Sequence, residues 1–295
     1  MVTRRTFLLG GIGTAVVVVA GAYAGVEEDA LPGRIRLARL TGQCDVDANP
    51  PPSSASVVSG RFSSSARKTQ VGWSLALPPG VAADGLPVVI VLHGRGDDHS
   101  TAFGRLKLQD FLAAAVKSGT PPFALASIDG GNTYWHPRSD GDNPIAMLTQ
   151  EFLPLLKSHG LTTDRIGALG WSMGGYGSLL LARESHRGNL EGTQVVAAAA
   201  GSPALFASYK ASASGAFDNA ADFAKYGELA REPDVGDVAV YVSCGSDDAF
   251  TDETKRYRSN AAPAPAGGIS KGCHTDGYWR SVAGAQLAFL GTHLA

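Results

Sequence analysis

The chain has 295 residues, of which 44% are hydrophobic and 18% charged, and its formal net charge is −2. This composition is typical of an ordinary globular protein that can bury a sizeable core, and it excludes disordered and highly charged classes. The charges form no basic stripe, so nucleic acid is not expected as a partner.

Residues 1–24 have the pattern of an export signal. The pair Arg4-Arg5 precedes a long uncharged apolar stretch that ends in a small-x-small pattern at Ala22–Ala24. The segment resembles a twin-arginine signal, which directs the export of folded proteins. An uncleaved anchor is the alternative, because the stretch is long enough to span a bilayer. In both cases we expect the protein outside the cytoplasm, either secreted or associated with the cell envelope.

Three cysteines, Cys44, Cys244 and Cys273, allow at most one disulfide within the chain. An oxidising compartment favours its formation. We expect Cys244 to pair with Cys273, because both would lie near strand ends in the fold derived below. No Cys-x-x-Cys or histidine-rich spacing indicates a zinc site.

The predicted elements begin after an irregular segment. Residues 25–60 contain the Pro/Ser-rich stretch DANPPPSSASVVSG, which is typical of a linker. Alternating apolar positions from residue 60 to the Pro-Pro-Gly turn at 78–80 then predict an antiparallel hairpin. The continuous β-branched run LPVVIVLHG at 86–94 predicts a strand that is buried on both faces.

Strands and helices alternate through the rest of the chain. Further strands are predicted at 123–130, 164–172, 193–202 and 237–248, and helices at 103–117, 145–158, 176–185 and 277–294. Residues 203–233 are expected to be irregular and helical. The alternation predicts one α/β domain with a parallel sheet and helices on both faces.

Reactive side chains follow several of these buried runs. Ligands of open α/β sheets bind at the carboxyl ends of the strands. Ser172, in the G-x-S-x-G pattern of GWSMGG, follows one strand, while the Asp247-Asp248 pair and His93 follow two others. The pattern alone is weak evidence in a chain with 37 glycines, so its position at a strand end carries the argument.

A nucleophilic serine requires a histidine to accept its proton and a carboxylate to orient the imidazole. Where the nucleophile lies on a turn between a strand and a helix, the three residues occur along the chain in the order Ser, acid, His. His274 is favoured over His293, because it lies in a glycine-rich loop just before the last helix. The spacing alone leaves Asp247 and Asp248 both open as the acid.

The motifs GWSMGG, CGSDDAF and CHTDGYW together resemble the esterase D-like branch of the α/β-hydrolases. That branch includes S-formylglutathione hydrolases, feruloyl esterases and bacterial mycolyltransferases. The resemblance covers the chain from about residue 60 to the C-terminus. It implies an α/β-hydrolase fold, with a mostly parallel central sheet flanked by helices and a small helical cap at 203–233, and a catalytic domain at 61–295.

The resemblance also assigns roles to individual residues. The family's acid lies three positions after a strand-ending glycine, which favours Asp248 over Asp247. Two backbone N–H groups should form the oxyanion hole. One belongs to Met173, directly after the nucleophile at a helix N-terminus. The resemblance places the second at Arg95.

Other side chains near strand ends suggest a substrate pocket or a metal site. His93, Tyr134 and Trp135 are candidate walls of a substrate pocket, since ester sites combine apolar walls with a few polar groups. The stretch HGRGDDH at 93–99 departs from the H-x-H-x-D-H spacing of metallohydrolases, so no metal is expected, and no cofactor is implied.

The resemblance thus implies a serine hydrolase that cleaves carboxylic esters through an acyl-enzyme, acting on a small-molecule or lipid ester. The alternatives are acyl transfer to a sugar or lipid alcohol, and a non-catalytic envelope protein on the same fold. The N-terminal segment is the one feature that predicts membrane association. The sequence determines neither the acyl chain nor the oligomeric state.

Overall fold

The computed structural model describes residues 40–295. The export signal or anchor expected at 1–24 and the first part of the expected linker therefore lie outside the described residues. In the described part, no helix is both long and apolar enough to cross a membrane.

An eight-stranded sheet forms the centre of the molecule, with the strand order β1-β2-β4-β3-β5-β6-β7-β8. The strands are β1 (Ser56–Ser64), β2 (Thr69–Leu77), β3 (Pro87–Leu92), β4 (Ala124–Ile128), β5 (Thr162–Trp171), β6 (Gln194–Gly201), β7 (Ala239–Gly245) and β8 (Ile269–Ser270). β2 pairs antiparallel with β1 and β4, and all other neighbours are parallel. The predicted α/β architecture with a mostly parallel sheet is confirmed.

Helices cover both faces of this sheet. They are α1 (Thr101–Gly104), α2 (Leu108–Lys117), α3 (Pro144–Ala146), α4 (Leu153–Ser158), α5 (Met173–His186), α6 (Ala220–Tyr226), α7 (Thr251–Asn260) and α8 (Asp276–Leu294). A π-helical turn, Met147–Phe152, joins α3 to α4, and 3₁₀ turns lie at Tyr209–Ala211 and Glu228–Ala230. The segment 203–233 is irregular and helical as predicted, and is called the cap segment below.

Alternate residues of β3 enter two different cores, as expected for a strand that is apolar throughout. Val88 and Ile90 face the core that α4 and α5 close, whereas Val89 and Val91 face the core closed by α2 and α8. Burial on both faces leaves the strand ends as the place where polar side chains can meet solvent.

The helix predicted at 145–158 is present but contains a wider turn. The π-helical turn ends where α4 begins, one residue before Pro154. Proline has no N–H, and its ring presses on the carbonyl four residues earlier. A π turn opens the backbone at this point, so the helix continues past the proline.

Two other boundaries differ from the prediction, and two further elements are present. The helix predicted at 103–117 is divided into α1 and α2 by Lys107, whose φ is 54°. β1 begins at Ser56, inside the segment expected to be an irregular linker, and its first residues are exposed on an edge strand. α7 and β8 were not predicted. α7 is almost entirely polar, and β8 has only two residues.

The disulfide prediction was wrong. Cys273 is bonded to Cys44, which lies 229 residues earlier, and Cys244 is a buried free thiol whose pKa burial raises to about 12. Cys44 reaches its partner because the segment after it packs against the start of α8. Asp47 forms a two-pronged ion pair there with Arg280, at 2.7 and 2.8 Å.

We predict that Cys44→Ala lowers the free energy of unfolding by about 2–4 kcal/mol, because the cross-link no longer restricts the unfolded chain. In a chain of this size that corresponds to a fall in Tm of roughly 5–15 °C. Thermal unfolding with and without a thiol reductant measures it.

The matched control is Cys244→Ala. Reductant should lower the Tm of the wild type and of Cys244→Ala, but leave that of Cys44→Ala unchanged. The opposite pattern, with the reductant effect lost only in Cys244→Ala, would restore the pairing predicted from the sequence.

Candidate active site

Ser172 lies at a sharp bend between β5 and α5. Its backbone has φ 55° and ψ −122°, a conformation that a residue with a side chain rarely adopts. Its N–H donates to the Gly201 carbonyl at 2.9 Å, and its own carbonyl accepts from the Ala204 and Tyr176 amides. These bonds hold the strained residue with its side chain at the end of the strand.

Glycines allow α5 to approach the sheet closely enough for this bend. A Cβ on Gly174 would lie 1.8 Å from the Leu92 carbonyl oxygen, and one on Gly170 would lie 2.1 Å from the Gly174 carbonyl oxygen. Both distances are far shorter than a van der Waals contact. The GWSMGG motif therefore has a steric reason for its glycines on either side of Ser172.

The three predicted side chains meet at this edge of the sheet. The Ser172 Oγ lies 2.9 Å from the His274 Nε2, and the His274 Nδ1 lies 2.9 Å from the Asp248 Oδ2. A carboxylate only accepts hydrogen bonds, so Nδ1 carries the imidazole proton. Nε2 of the neutral ring is then free to accept the Ser172 hydroxyl proton.

Asp248 is positioned by the turn that follows β7. Its carboxylate is fully buried, and Oδ1 accepts the Phe250 N–H at 2.9 Å. Asp247, the alternative acid, accepts instead from the Ser246 hydroxyl at 2.7 Å. His293, the alternative base, bonds to the Phe289 carbonyl within the last turn of α8.

Two aromatic rings hold the imidazole of His274 from its sides. The Phe250 ring lies 5.2 Å from it and the Trp279 ring 5.1 Å, both edge-on. His274 follows the bonded Cys273, and Thr275 caps α8 by accepting the Tyr278 N–H. The ring is thus restrained both through its neighbours in space and through the chain.

The two expected oxyanion donors lie in different elements, Met173 directly after Ser172 and Arg95 in the loop after β3. Met173 is the first residue of α5, so its N–H has no acceptor within the helix. Arg95 occupies the second position of a turn closed by the Asp97 N–H donating to the Gly94 carbonyl. That hydrogen bond does not use the Arg95 amide.

The prediction that His93 lines a substrate pocket was wrong. The side chain is fully buried, with Nδ1 donating to the Gly94 carbonyl and Nε2 accepting the Gly130 N–H. It therefore ties the end of β3 to the end of β4. Burial lowers the pKa of its imidazole, which keeps the ring in the neutral form that these two bonds require.

Trp135 and Tyr134, the other two candidate pocket walls, are also buried and pack against neighbouring elements. Trp135 is fully buried and packs so closely on Gly130 and Gly177 that a Cβ on either would overlap its ring. Tyr134 is 3% exposed and touches the Phe217 ring of the cap segment. Burial raises the pKa of its phenol. Neither ring presents a face to a ligand.

The acidic and histidine side chains of the stretch 93–99 have protein partners. The carboxylate of Asp97 binds Trp171, and His99 Nδ1 contacts the Ser74 hydroxyl at 2.7 Å. In residues 40–295 no group of three or more His, Cys, Asp or Glu side chains is arranged to hold a metal ion.

The family is identified by a match of residues 64–266, more than half of the chain, to the model of the Esterase family. The chain belongs to that family. It is an esterase D-like α/β-hydrolase, and its reaction is the hydrolysis of carboxylic esters. The matched region contains Ser172 and Asp248 and ends before the loop of His274.

Solved structures of esterases share this fold. A ferulic acid esterase superposes with a TM-score of 0.69 at 21% identity, covering 82% of this chain and 99% of its own. An S-formylglutathione hydrolase from Agrobacterium tumefaciens gives 0.65 at 14% identity, covering 85% and 99%. A thermostable esterase from Pseudomonas putida gives 0.62 at 19% identity, covering 92% of each chain. No curated protein sequence matches the chain.

We predict that Gly174→Ala destabilises the esterase by about 3 kcal/mol or more, because α5 would have to move away from β3. Gly284→Ala is the control, since a Cβ at this position in α8 meets open space. That substitution should be neutral or stabilise by up to about 1 kcal/mol. Chemical denaturation measures both, and equal stabilities would contradict the steric argument.

Proposed function

We propose that this esterase is an exported serine hydrolase in which Ser172 is the nucleophile, His274 the general base and acid, and Asp248 the residue that orients His274. The backbone N–H groups of Met173 and Arg95 stabilise the oxyanion. The substrate is a small-molecule carboxylic ester.

The observation that carries the proposal is the unbroken hydrogen-bonded series from the Ser172 hydroxyl through the His274 imidazole to the Asp248 carboxylate, with 2.9 Å at each step. A serine hydroxyl is a weak nucleophile until a base removes its proton in the transition state. The series supplies that base in the correct tautomer and places a buried negative charge beside the imidazolium that forms.

In the first half of the reaction the Ser172 Oγ attacks the ester carbonyl carbon, and its proton moves to His274 Nε2. The carbonyl oxygen becomes an oxyanion that accepts from the two backbone N–H groups. Collapse of this intermediate breaks the ester bond. His274 gives its proton to the departing alcohol, and the acyl group stays on Ser172.

In the second half, water loses a proton to His274 Nε2 and attacks the acyl carbon. The intermediate then releases the carboxylic acid, and His274 returns the proton to Ser172. The imidazole of His274 is 30% exposed, which gives water access to the acyl-enzyme. This access supports hydrolysis at the same site.

Export is proposed from the sequence of residues 1–24. The disulfide between Cys44 and Cys273 supports it, because such bonds persist in oxidising compartments and are rare in the bacterial cytosol. A twin-arginine route suits a protein whose N-terminal part is bonded to the far end of the chain, since that pathway carries folded proteins.

We predict that a fluorophosphonate probe labels the wild type, and that Ser172→Ala abolishes labelling by removing the attacked oxygen. His274→Ala should slow labelling sharply. Asp248→Asn should lower kcat by about 10⁴-fold, because the amide no longer stabilises the imidazolium. The rate of labelling and the hydrolysis of a 4-nitrophenyl ester measure these effects.

Asp247→Asn is the matched control, since it makes the same chemical change one residue away. Its kcat should stay within about 3-fold of the wild type. A folded wild type that is not labelled would refute the nucleophile, and a larger loss in Asp247→Asn than in Asp248→Asn would reverse the assignment of the acid.

We predict that changing Arg4 and Arg5 together to Lys retains the precursor in the cytoplasm of a bacterial host that has the twin-arginine pathway. Cell fractionation measures the result. The control double variant, Arg34→Lys with Arg36→Lys, makes the same charge-conserving change outside the motif and should be exported. Normal export of the first variant would refute dependence on the twin-arginine pair.

A further inference from the structure

The carboxylate of Asp97 connects two loops that carry groups of the proposed site. Its Oδ2 accepts the indole N–H of Trp171 at 2.9 Å, and its Oδ1 accepts from Arg105 at 2.8 Å. Trp171 is the residue before Ser172, and Asp97 follows Arg95 by two positions. One side chain therefore bonds the loop after β3 to the end of β5.

The loop after β3 is a tight turn of four residues, 94–97. The Asp97 N–H donates to the Gly94 carbonyl at 3.2 Å, and Gly96 has φ +80°, as the third residue of a type II turn requires. The Gly96 N–H donates to the Asn132 Oδ1 at 2.8 Å. The Gly96 and Asp97 amides are therefore both bonded. The Arg95 amide belongs to the same turn, so its orientation follows that of the turn, and Asp97 fixes one end of it.

Steric contact makes this placement specific. A Cβ on Gly94 would lie 2.9 Å from the Trp171 Nε1 and 3.0 Å from the Asp97 Oδ2. The backbone at Gly94 therefore lies directly against the hydrogen bond between Trp171 and Asp97. A change in either side chain therefore acts directly on the turn that contains Arg95.

Arg105 extends the connection to the loop of His274. Its guanidinium bonds to Asp97 and also to Asp276, whose Oδ2 lies 2.6 Å from the Arg105 Nε. Asp276 is the first residue of α8, two positions after His274. The backbone carbonyl of Arg105 accepts from Arg280 of the same helix at 3.0 Å.

Trp171 also lies close to the base. Its ring centroid is 6.3 Å from that of Trp279, and the Trp279 ring contacts the His274 imidazole. Trp171 is itself 3% exposed, so its indole N–H would be buried without an acceptor if Asp97 were removed. The bond to Asp97 thus satisfies the polar atom of a ring that is otherwise packed among apolar side chains.

We propose that Asp97 is a positioning residue that sets the distance between the two oxyanion donors. It fixes the turn bearing the Arg95 N–H to the strand end that leads into Ser172 and Met173. The inference rests on the proposed function, because it assigns these two amides to the oxyanion hole. Asp97 acts through other residues in this role, because its Oδ2 accepts from Trp171 and its Oδ1 from Arg105.

Such a role predicts a particular kinetic signature. The oxyanion forms only in the transition state, so donors that are slightly misplaced lower kcat more than they raise KM. A displacement of about 1 Å in a catalytic group costs on the order of 10²-fold in rate. We expect Asp97→Ala to lower kcat by about 10- to 100-fold while KM changes by less than about 3-fold.

Three further variants separate the two contacts of Asp97. Asp97→Asn keeps an oxygen acceptor for Trp171, so it should recover part of the activity lost in Asp97→Ala. Trp171→Phe removes the donor and keeps an aromatic ring, and should lower kcat by about 10-fold. The double variant, Asp97→Ala with Trp171→Phe, should be no slower than the slower single variant, because both remove the same bond.

Asp142→Ala is the control that shows what the loss of an ion pair does to the protein when the pair lies away from the site. Asp142 forms an ion pair with Arg67 outside the site, with Arg67 Nη2 bonded at 2.9 Å. This variant should lower the Tm and leave kcat within about 2-fold of the wild type. All kcat values are expressed per active site titrated with the fluorophosphonate probe, at a temperature well below the lowest Tm.

The outcomes distinguish this inference from the proposed function. Absence of labelling in the wild type, or labelling that survives Ser172→Ala, would overturn the proposed function and the inference with it. Normal labelling with kcat unchanged in Asp97→Ala would overturn the positioning role alone. Additive losses in the double variant would do the same. Should Asp97→Ala fail to fold, Asp97→Asn and Trp171→Phe still give the kcat and KM comparison.

Discussion

The close packing of α5 against the sheet is the constraint on which the site depends. Gly174 lets the first turn of the helix pack against the end of β3. Because helix and strand are so close, the chain passes from one to the other through a backbone with positive φ at Ser172. Such a conformation costs of order 1–3 kcal/mol. Two hydrogen bonds offset that cost, since the Ser172 N–H donates to the Gly201 carbonyl at the end of β6 and the Ser172 carbonyl accepts the Ala204 N–H. Contacts with the sheet therefore maintain the strained conformation of Ser172.

The side chains around this bend divide into those that meet at the open edge of the sheet and those that support them. His93, Tyr134 and Trp135 follow strands at the correct edge, which is why the sequence favoured them as pocket walls. The structure uses His93 and Trp135 to join adjacent strand ends beneath the site. A strand-end side chain can point either into the cleft or back into the core, and the positive φ of 59° at Trp135 turns its ring inward.

Much of the fold was predictable because the central strands, such as β3, β4 and β6, are buried on both faces and so contain continuous apolar runs. The meeting of Ser172, Asp248 and His274 was predictable for a different reason, since each of them lies in a recognisable local pattern. α7 was missed because it buries only a narrow stripe, Thr251, Thr254 and Tyr257, within a polar segment. β8 was missed because a strand of two residues is too short to show an alternating hydrophobic pattern.

By itself the sequence determined the α/β architecture, the position of Ser172 at a strand end and the choice of His274, because each depends on neighbours within a few residues. The tertiary structure decided which of two adjacent aspartates faces the imidazole and which cysteine bonds to Cys273. Adjacent side chains in a turn point in different directions, and Cys44 is brought to its partner by the packing of its segment on α8. Contacts of this kind depend on how distant elements pack, and such packing leaves no pattern in the local sequence.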